Sequence, residues 1–311
     1  MAGSLQWARP YFTGAEPVSA DLHVKFLAGG AASGLPVKIR ARMQKREGAS
    51  FPDFDGVLFA NGGIRMGRFR RSDRISEDDR AEKKFPDQRI NLDTGGSGRV
   101  SVSGLPAWDH ASRFELEGEY RDPNGEIQTV HRSSNIYPSR VLLGIQPAGW
   151  AAHAEKVQFK VAAVSPDGKA VAGQPMKVSW IQKQTFSHRK RIVGGFYAYE
   201  NFEEFRERGE ACSGKTNEKG ILECEVKAPV TGAVLLQAET QFEGKISRCH
   251  HEIYVAGSED WWFSQENDDR IDLLPEKKNY EPGETARFQV RSPFREATAL
   301  VTVEREGVIE S

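Results

Sequence analysis

The residues with the most chemistry to offer in this sequence are three cysteines, Cys212, Cys224 and Cys249, the last followed by His250 and His251. Cys212 and Cys224 lie symmetrically about Glu218. A hairpin turning through Asn217-Glu218-Lys219-Gly220 would set them opposite each other on neighbouring strands, inside the roughly 7 Å between Cα atoms that a disulfide tolerates. Cys249 is a rival partner, and three reduced, half-buried thiols are the alternative to any bridge. Cys249-His250-His251 also suggests a metal. Adjacent side chains on a strand point to opposite faces, so the two imidazoles cannot share one ion, and no second ligand pair has zinc-like spacing. Ordinary strand residues are expected, with no metal and no cofactor.

Other stretches mix bases with aromatics. Arg65-Met66-Gly67-Arg68-Phe69-Arg70-Arg71-Ser72-Asp73-Arg74 has the composition of a nucleic-acid binder, but Glu77-Asp78-Asp79 follows at once. A solvated, self-paired loop is expected there. The same holds for His188-Arg189-Lys190-Arg191, which could dock on the acidic stretch from Glu200 to Glu210. Tyr197, Tyr199, Phe202 and Phe205 could stack on a sugar or cover a sheet edge, and packing is the expected role. Trp261-Trp262-Phe263 is expected to pack between neighbouring domains and fix their angle. Carboxylates are abundant, but none sits with a nucleophile, a glycine-rich phosphate loop or a His–Glu metal pair. No catalytic residue is expected, and the chain does not read as an enzyme.

Bulk properties narrow the field further. The 43 basic and 44 acidic residues among 311 leave a net charge of −1, so no global field draws the chain to nucleic acid or an anionic membrane. No apolar run approaches the roughly 20 residues that span a bilayer. Met1-Ala2-Gly3-Ser4-Leu5-Gln6 lacks the basic and apolar regions of a secretion signal.

The elements that must position these residues repeat. Asp21 to Phe26 alternates, turns, and is followed by Gly34-Leu35-Pro36-Val37-Lys38-Ile39-Arg40-Ala41. Lys156 to Val161 is followed in the same way by Gly173-Gln174-Pro175-Met176-Lys177-Val178-Ser179-Trp180. Arg287 to Arg291 is followed by Ala297 to Glu304. Short alternating strands with regular turn signals predict β-sandwiches. The first unit spans about 12–138, with a long inserted connection at about 44–93. A connection of that length is expected to hold structure of its own or be partly mobile. The second spans 140–257, where Lys183 to Gly214 reads as another long connection. The third, 270–311, stops after three strands, too few to close a sandwich, so the chain is expected to be a piece of a longer one.

Residues 273–286, Leu-Leu-Pro-Glu-Lys-Lys-Asn-Tyr-Glu-Pro-Gly-Glu-Thr-Ala, followed by Val290-Arg291-Ser292-Pro293-Phe294 and by 299–308, Ala-Leu-Val-Thr-Val-Glu-Arg-Glu-Gly-Val, resemble a macroglobulin domain. They resemble most the domain that precedes the bait region in bacterial α-2-macroglobulins. Gly34-Leu35-Pro36-Val37, Gly173-Gln174-Pro175-Met176 and the shared hairpin ends extend the resemblance to the two upstream units. It implies an all-β chain of tandem seven-stranded antiparallel sandwiches, macroglobulin or fibronectin-like, with the third incomplete. It also implies a structural segment of a broad-spectrum protease trap. The partners implied are target proteases, met through the full-length parent, and neighbouring macroglobulin domains; nucleic acid and a membrane span are not.

The resemblance places the parent in the periplasm or cell envelope, with a lipid anchor as an option. That oxidising setting, and a similar cysteine pair in family members, favours a Cys212–Cys224 bridge. Two family elements are missing. Cys212, Cys224 and Cys249 are followed by Ser-Gly-Lys, Glu-Val-Lys and His-His-Glu, so there is no thioester motif, and the chain stops before a bait segment would begin. The segment alone is therefore not expected to inhibit. The alternative is an Ig-like array of a cell-surface adhesion or carbohydrate-binding protein, with Tyr197 or Tyr199 in its ligand site.

Overall fold

The computed structural model describes residues 1–70, 82–149, 151–191, 197–256, 272–275, 280–291, 300, 302–304 and 308–310. All regular structure among them is β. The first sandwich contains β1 (Ala2–Trp7), β2 (Phe12–Thr13), β3 (Val18–Lys25) and β4 (Pro36–Lys45). After β5 (Gly67–Arg70) it continues with β6 (Glu82–Lys84), β7 (Gln88–Asn91), β8 (Ser97–Val102), β9 (Ser112–Arg121) and β10 (Ile127–Tyr137). A small sheet in the order β1-β3-β8 faces a larger one in the order β2-β10-β9-β4, with β6 and β7 sharing the outer edge of β4. β1 thus extends this sandwich upstream of the expected start near residue 12, by pairing antiparallel with β3 from Ala2↔Lys25 to Trp7↔Ala20.

The second sandwich repeats the plan. It contains β11 (Leu142–Pro147), β12 (Ala151–His153), β13 (Val157–Val164), β14 (Pro175–Arg191), β15 (Tyr197–Lys215), β16 (Ile221–Val226), β17 (Gly232–Phe242) and β18 (Lys245–Ala256). The order β11-β13-β16 faces β12-β18-β17-β14-β15, and β5 of the first unit forms the outermost strand of this larger sheet.

Period-2 patterning explains the layers. In β3, Val18, Ala20, Leu22 and Val24 are buried while Asp21, His23 and Lys25 point to solvent. Val37, Ile39, Ala41 and Met43 of β4 meet them in one core with Phe114 and Leu116 of β9. Each such aliphatic or aromatic side chain contributes about 1.5–3 kcal/mol when fully buried, so an acid at Leu22 would break the core. The second core centres on Trp180, with Val161, Val178, Leu236 and Cys249.

Two features depart from the sequence expectation. The sheets are not wholly antiparallel: β2 pairs parallel with β10, and β12 parallel with β18. In both units the first strand leaves the small sheet and crosses to the large one, where it runs alongside the last strand. Pro10 lies in the first crossing and Pro147 ends β11 before the second; neither has an N–H to continue a ladder. Second, 183–214 is not a connection. β14 and β15 run on as one long hairpin, paired from Pro175↔Lys215 to Arg191↔Tyr197 with irregularities near Ser179. Charged residues occupy both faces of that ribbon, which hides the period from a sequence reader.

Downstream, β19 (Asp272–Pro275) pairs with β20 (Phe288–Arg291), and β21 (Val303–Glu304) with β22 (Val308–Glu310). The Glu281–Glu284 turn closes with the Glu284 N–H donating to the Glu281 carbonyl at 3.0 Å. Gly283 supplies its left-handed residue at φ 93°.

Candidate functional site: the junction between the two sandwiches

The inserted chain between β4 and β6 builds the junction. Phe51, Phe54, Val57 and Phe59 all fall within nine residues, too apolar a set for a solvated loop. Ala49 and Phe59 exchange two backbone hydrogen bonds of 2.8 Å each, which folds the segment back on itself. Phe59 is then fully buried, with the rings of Phe51 and Phe54 edge-on at 5.2 and 5.3 Å. These residues join Tyr137, Leu142, Ala162 and Val164 in a separate apolar cluster between the two main cores.

The same segment covers open sheet edges, which otherwise present unpaired backbone groups. Phe59 bridges to Gly144 at the outer edge of β11, and the Ala60 N–H donates to the Leu143 carbonyl at 2.9 Å. The Ala60 carbonyl accepts from the Ala111 N–H at 2.6 Å. Ala60 holds φ 52°, a left-handed conformation that costs a non-glycine residue energy and persists only where its surroundings fix it. Further on, β5 pairs antiparallel with β15, from Phe202↔Arg70 to Phe205↔Gly67.

Side chains complete the contact. The Asn61 amide imitates a strand: its Nδ2 donates to the His250 carbonyl and its Oδ1 accepts from the His250 N–H, both at 2.9 Å. His250 Nδ1 lies 2.8 Å from the Gly62 carbonyl, which requires the proton to sit on Nδ1. The Ile64 N–H donates to Gln237 Oε1 at 2.6 Å. Lys245 of the second sandwich reaches Glu16 of the first at 2.8 Å. That hydrogen bond holds the Glu16 carboxyl below its ordinary value, with help from Thr13 and against the opposing effect of burial. Arg248 stands between Glu239 at 2.6 Å and Asp109 at 3.6 Å.

The residues singled out by sequence fall differently around this junction. The Arg65–Arg74 stretch is not a loop at its centre, although Arg65 does lie over Phe69 of the same stretch at 4.7 Å. Gly67–Arg70 is a strand of the neighbouring sheet, with the Arg68 guanidinium 4.7 Å over Phe202 and 5.2 Å over Phe186, and Arg70 3.5 Å from Glu200. Residues 71–81 lie outside the described residues. Phe205 is buried with Ile181 and Leu235, so neither Phe202 nor Phe205 offers an open stacking face. Tyr197 and Tyr199 are in β15, and of their side chains nothing is described. Cross-strand register sets His188 opposite Glu200. Trp261, Trp262 and Phe263 lie outside the described residues.

Cys212 and Cys224 are bonded, with Cα atoms 6.3 Å apart, but not across a hairpin. β15 belongs to the large sheet and β16 to the small one, so the bridge staples the two layers of the second sandwich. The register Cys249↔Ala238, Val178↔Ala238 and Val178↔Cys212 puts Cys249 three strand spacings from Cys212, about 14 Å. The rival pairing is therefore excluded in this fold. Cys249 is fully buried and burial pushes its thiol well up. His251 is shifted down by burial and by neighbouring His250. Among the described residues no cluster of His, Cys, Asp or Glu could hold a metal, and no helix is long and apolar enough to cross a membrane.

What the arrangement does is mechanical: one segment seals two sheet edges and an apolar cluster, fixing one sandwich on the other. Asn61, Gly144 and His250 carry it; the sequence pattern singles out neither Asn61 nor Gly144, and it offers His250 only as a metal candidate or an ordinary strand residue. The usable signal was the run of phenylalanines in a supposed loop.

No protein-family model matches the chain. Its fold matches that of Salmonella α-2-macroglobulin reacted with methylamine, at 18% identity and a TM-score of 0.57, over 94% of this chain and 18% of the other. The chain shares its fold with the bacterial α-2-macroglobulins. Escherichia coli α-2-macroglobulin activated by porcine elastase matches over 89% of this chain and 23% of its own, at 18% identity and TM-score 0.55. In sequence, an α-2-macroglobulin homolog of Nostoc sp. is 20% identical over 198 residues, 63% of this chain and 10% of that protein. The chain thus spans about a tenth of the curated α-2-macroglobulin relative and under a quarter of the solved α-2-macroglobulins it matches.

Proposed function

We propose that this chain is a rigid frame segment of an extracytoplasmic, bacterial α-2-macroglobulin-like protease trap. The observation that carries the reading is the extent of the likeness. It runs over 94% of this chain, and so over both sandwiches. The junction supports a frame role, since one segment packs against both sandwiches and closes exposed strand edges between them. In this reading the target proteases act on the parent protein, the neighbouring partners are further macroglobulin domains, and the segment itself performs no catalysis.

Incubating the full-length parent with trypsin tests the proposal. The expected result is one early cut, a more compact particle, and trypsin that still hydrolyses a small chromogenic substrate but not a large protein. Random degradation without compaction, or trypsin left fully active on protein substrates, would refute it.

A further inference from the structure

Where β1 leaves the small sheet for β2, the first sandwich holds a hollow of about 670 Å³ walled by Arg9, Arg46, Arg113 and Arg132. The four arrive from separate elements: the β1–β2 crossing, the residue after β4, the start of β9, and β10. Two are partly neutralised by carboxylates that other cations share. Arg9 is 3.1 Å from Glu16, which also holds Lys245. Arg113 is 3.4 Å from Glu115, which also holds Arg42. The other two meet only neutral acceptors among the described residues. Arg46 donates to Asn135 Oδ1 at 2.6 Å and Arg132 to the Leu5 carbonyl at 3.0 Å.

The wall is stiff. Trp7 Nε1 donates to the Ser133 carbonyl at 2.9 Å, and its ring stands edge-on to Phe12 and Phe114 at 6.1 and 6.0 Å. Ser134, also on the wall, is 8% exposed, and its hydroxyl has no hydrogen-bond partner among the described residues. Buried hydroxyls normally find one.

We propose that this hollow binds a phosphate group. A single planar fork satisfies a carboxylate, whereas guanidinium groups from four elements around one hollow suit a tetrahedral anion with three or more accepting oxygens. The inference is independent of the protease-trap reading. The phosphate can be free or carried on a lipid headgroup, and the two sources separate experimentally.

The full 311-residue chain is titrated calorimetrically with inorganic pyrophosphate at low salt, and floated with phosphatidylglycerol or phosphatidylcholine vesicles. Saturable one-site binding is expected, weakened about tenfold or more in Arg46→Gln and in Arg132→Gln, since each removes charge-assisted bonds. Arg99→Gln, which makes the same charge change at an ion pair with Asp21 on the other sheet, should leave it unchanged. Flotation with phosphatidylglycerol that pyrophosphate competes away identifies a lipid headgroup; pyrophosphate binding without flotation identifies a soluble phosphate. No saturation at millimolar pyrophosphate, an equal loss in Arg99→Gln, or stronger displacement by a polyglutamate peptide would each overturn the proposal. Arg132 also ties β10 to β1, so if its variant loses its near-ultraviolet circular dichroism, Arg46→Gln alone decides.

Discussion

Replacing Gly144 with alanine interrogates the junction with a single methyl group. The new carbon would lie 2.6 Å from Val57 Cγ1 and 2.9 Å from Cδ1 of Phe59, far inside the roughly 3.5–4.0 Å at which carbon atoms attract. Forcing a methyl into a packed site costs about 1–3 kcal/mol. Alanine also restricts the unfolded chain, which returns about 0.4–1 kcal/mol, so a net loss of about 1–2 kcal/mol is expected. Gly144 is not in the left-handed region, so the loss reports packing and not backbone strain. Val57→Ala alone removes two buried methyls and should cost about 1–2 kcal/mol. Combined, the two changes relieve each other, and the double variant should be at least about 1 kcal/mol more stable than the sum of the singles, a coupling expected only of residues in contact. Urea unfolding followed by tryptophan fluorescence measures all three. If Gly144→Ala is neutral, or the pair is additive within about 0.5 kcal/mol, the inserted segment does not pack on β11 and the sealed junction is wrong.

Three further outcomes rest on the disulfide, the buried thiol and the Glu16–Lys245 pair. Reducing the Cys212–Cys224 bridge, or replacing both with alanine, should destabilise the second sandwich by about 2–3 kcal/mol, given a closed loop of about a dozen residues. Cys249 should stay unreactive to a thiol reagent until the chain unfolds; a native chain that labels there contradicts its placement in the core. Glu16 is held below the ordinary 4.5 by Lys245, so its contribution is complete above that value and is lost as pH falls through the lowered folded value. Because the pair is about one-third exposed, screening limits it to less than about 1 kcal/mol. Acid titration of wild type against Glu16→Gln should show this difference vanish at low pH. A difference that grows on acidification refutes the sign.

Alternation alone located β3 and the first half of β13, because Val18, Ala20, Leu22 and Val24, and likewise Val157, Phe159 and Val161, bury one face while Asp21, His23, Gln158 and Lys160 stay in water. Pro36 and Pro175 marked where β4 and β14 begin. The long hairpin of β14 and β15 escaped notice beyond Gln182, since a ribbon with polar residues on both faces carries no period. The insert's length predicts structure of its own but not where it packs: its phenylalanines pack on another sandwich, and contacts distant in sequence leave no local pattern.

By itself, then, the sequence determined the all-β class, the repetition of the unit and the family resemblance. Those depend on local alternation and turn chemistry, which neighbouring residues encode. Only the tertiary structure decided what joins the units. It placed Cys212 and Cys224 in opposite sheets, set Cys249 out of reach, and delivered Phe59 to the small sheet and Asn61 and β5 to the large sheet of the other sandwich. Each of those outcomes depends on which strands lie side by side, and strand order is fixed by the burial of whole faces, not by any residue's nearest neighbours in the chain.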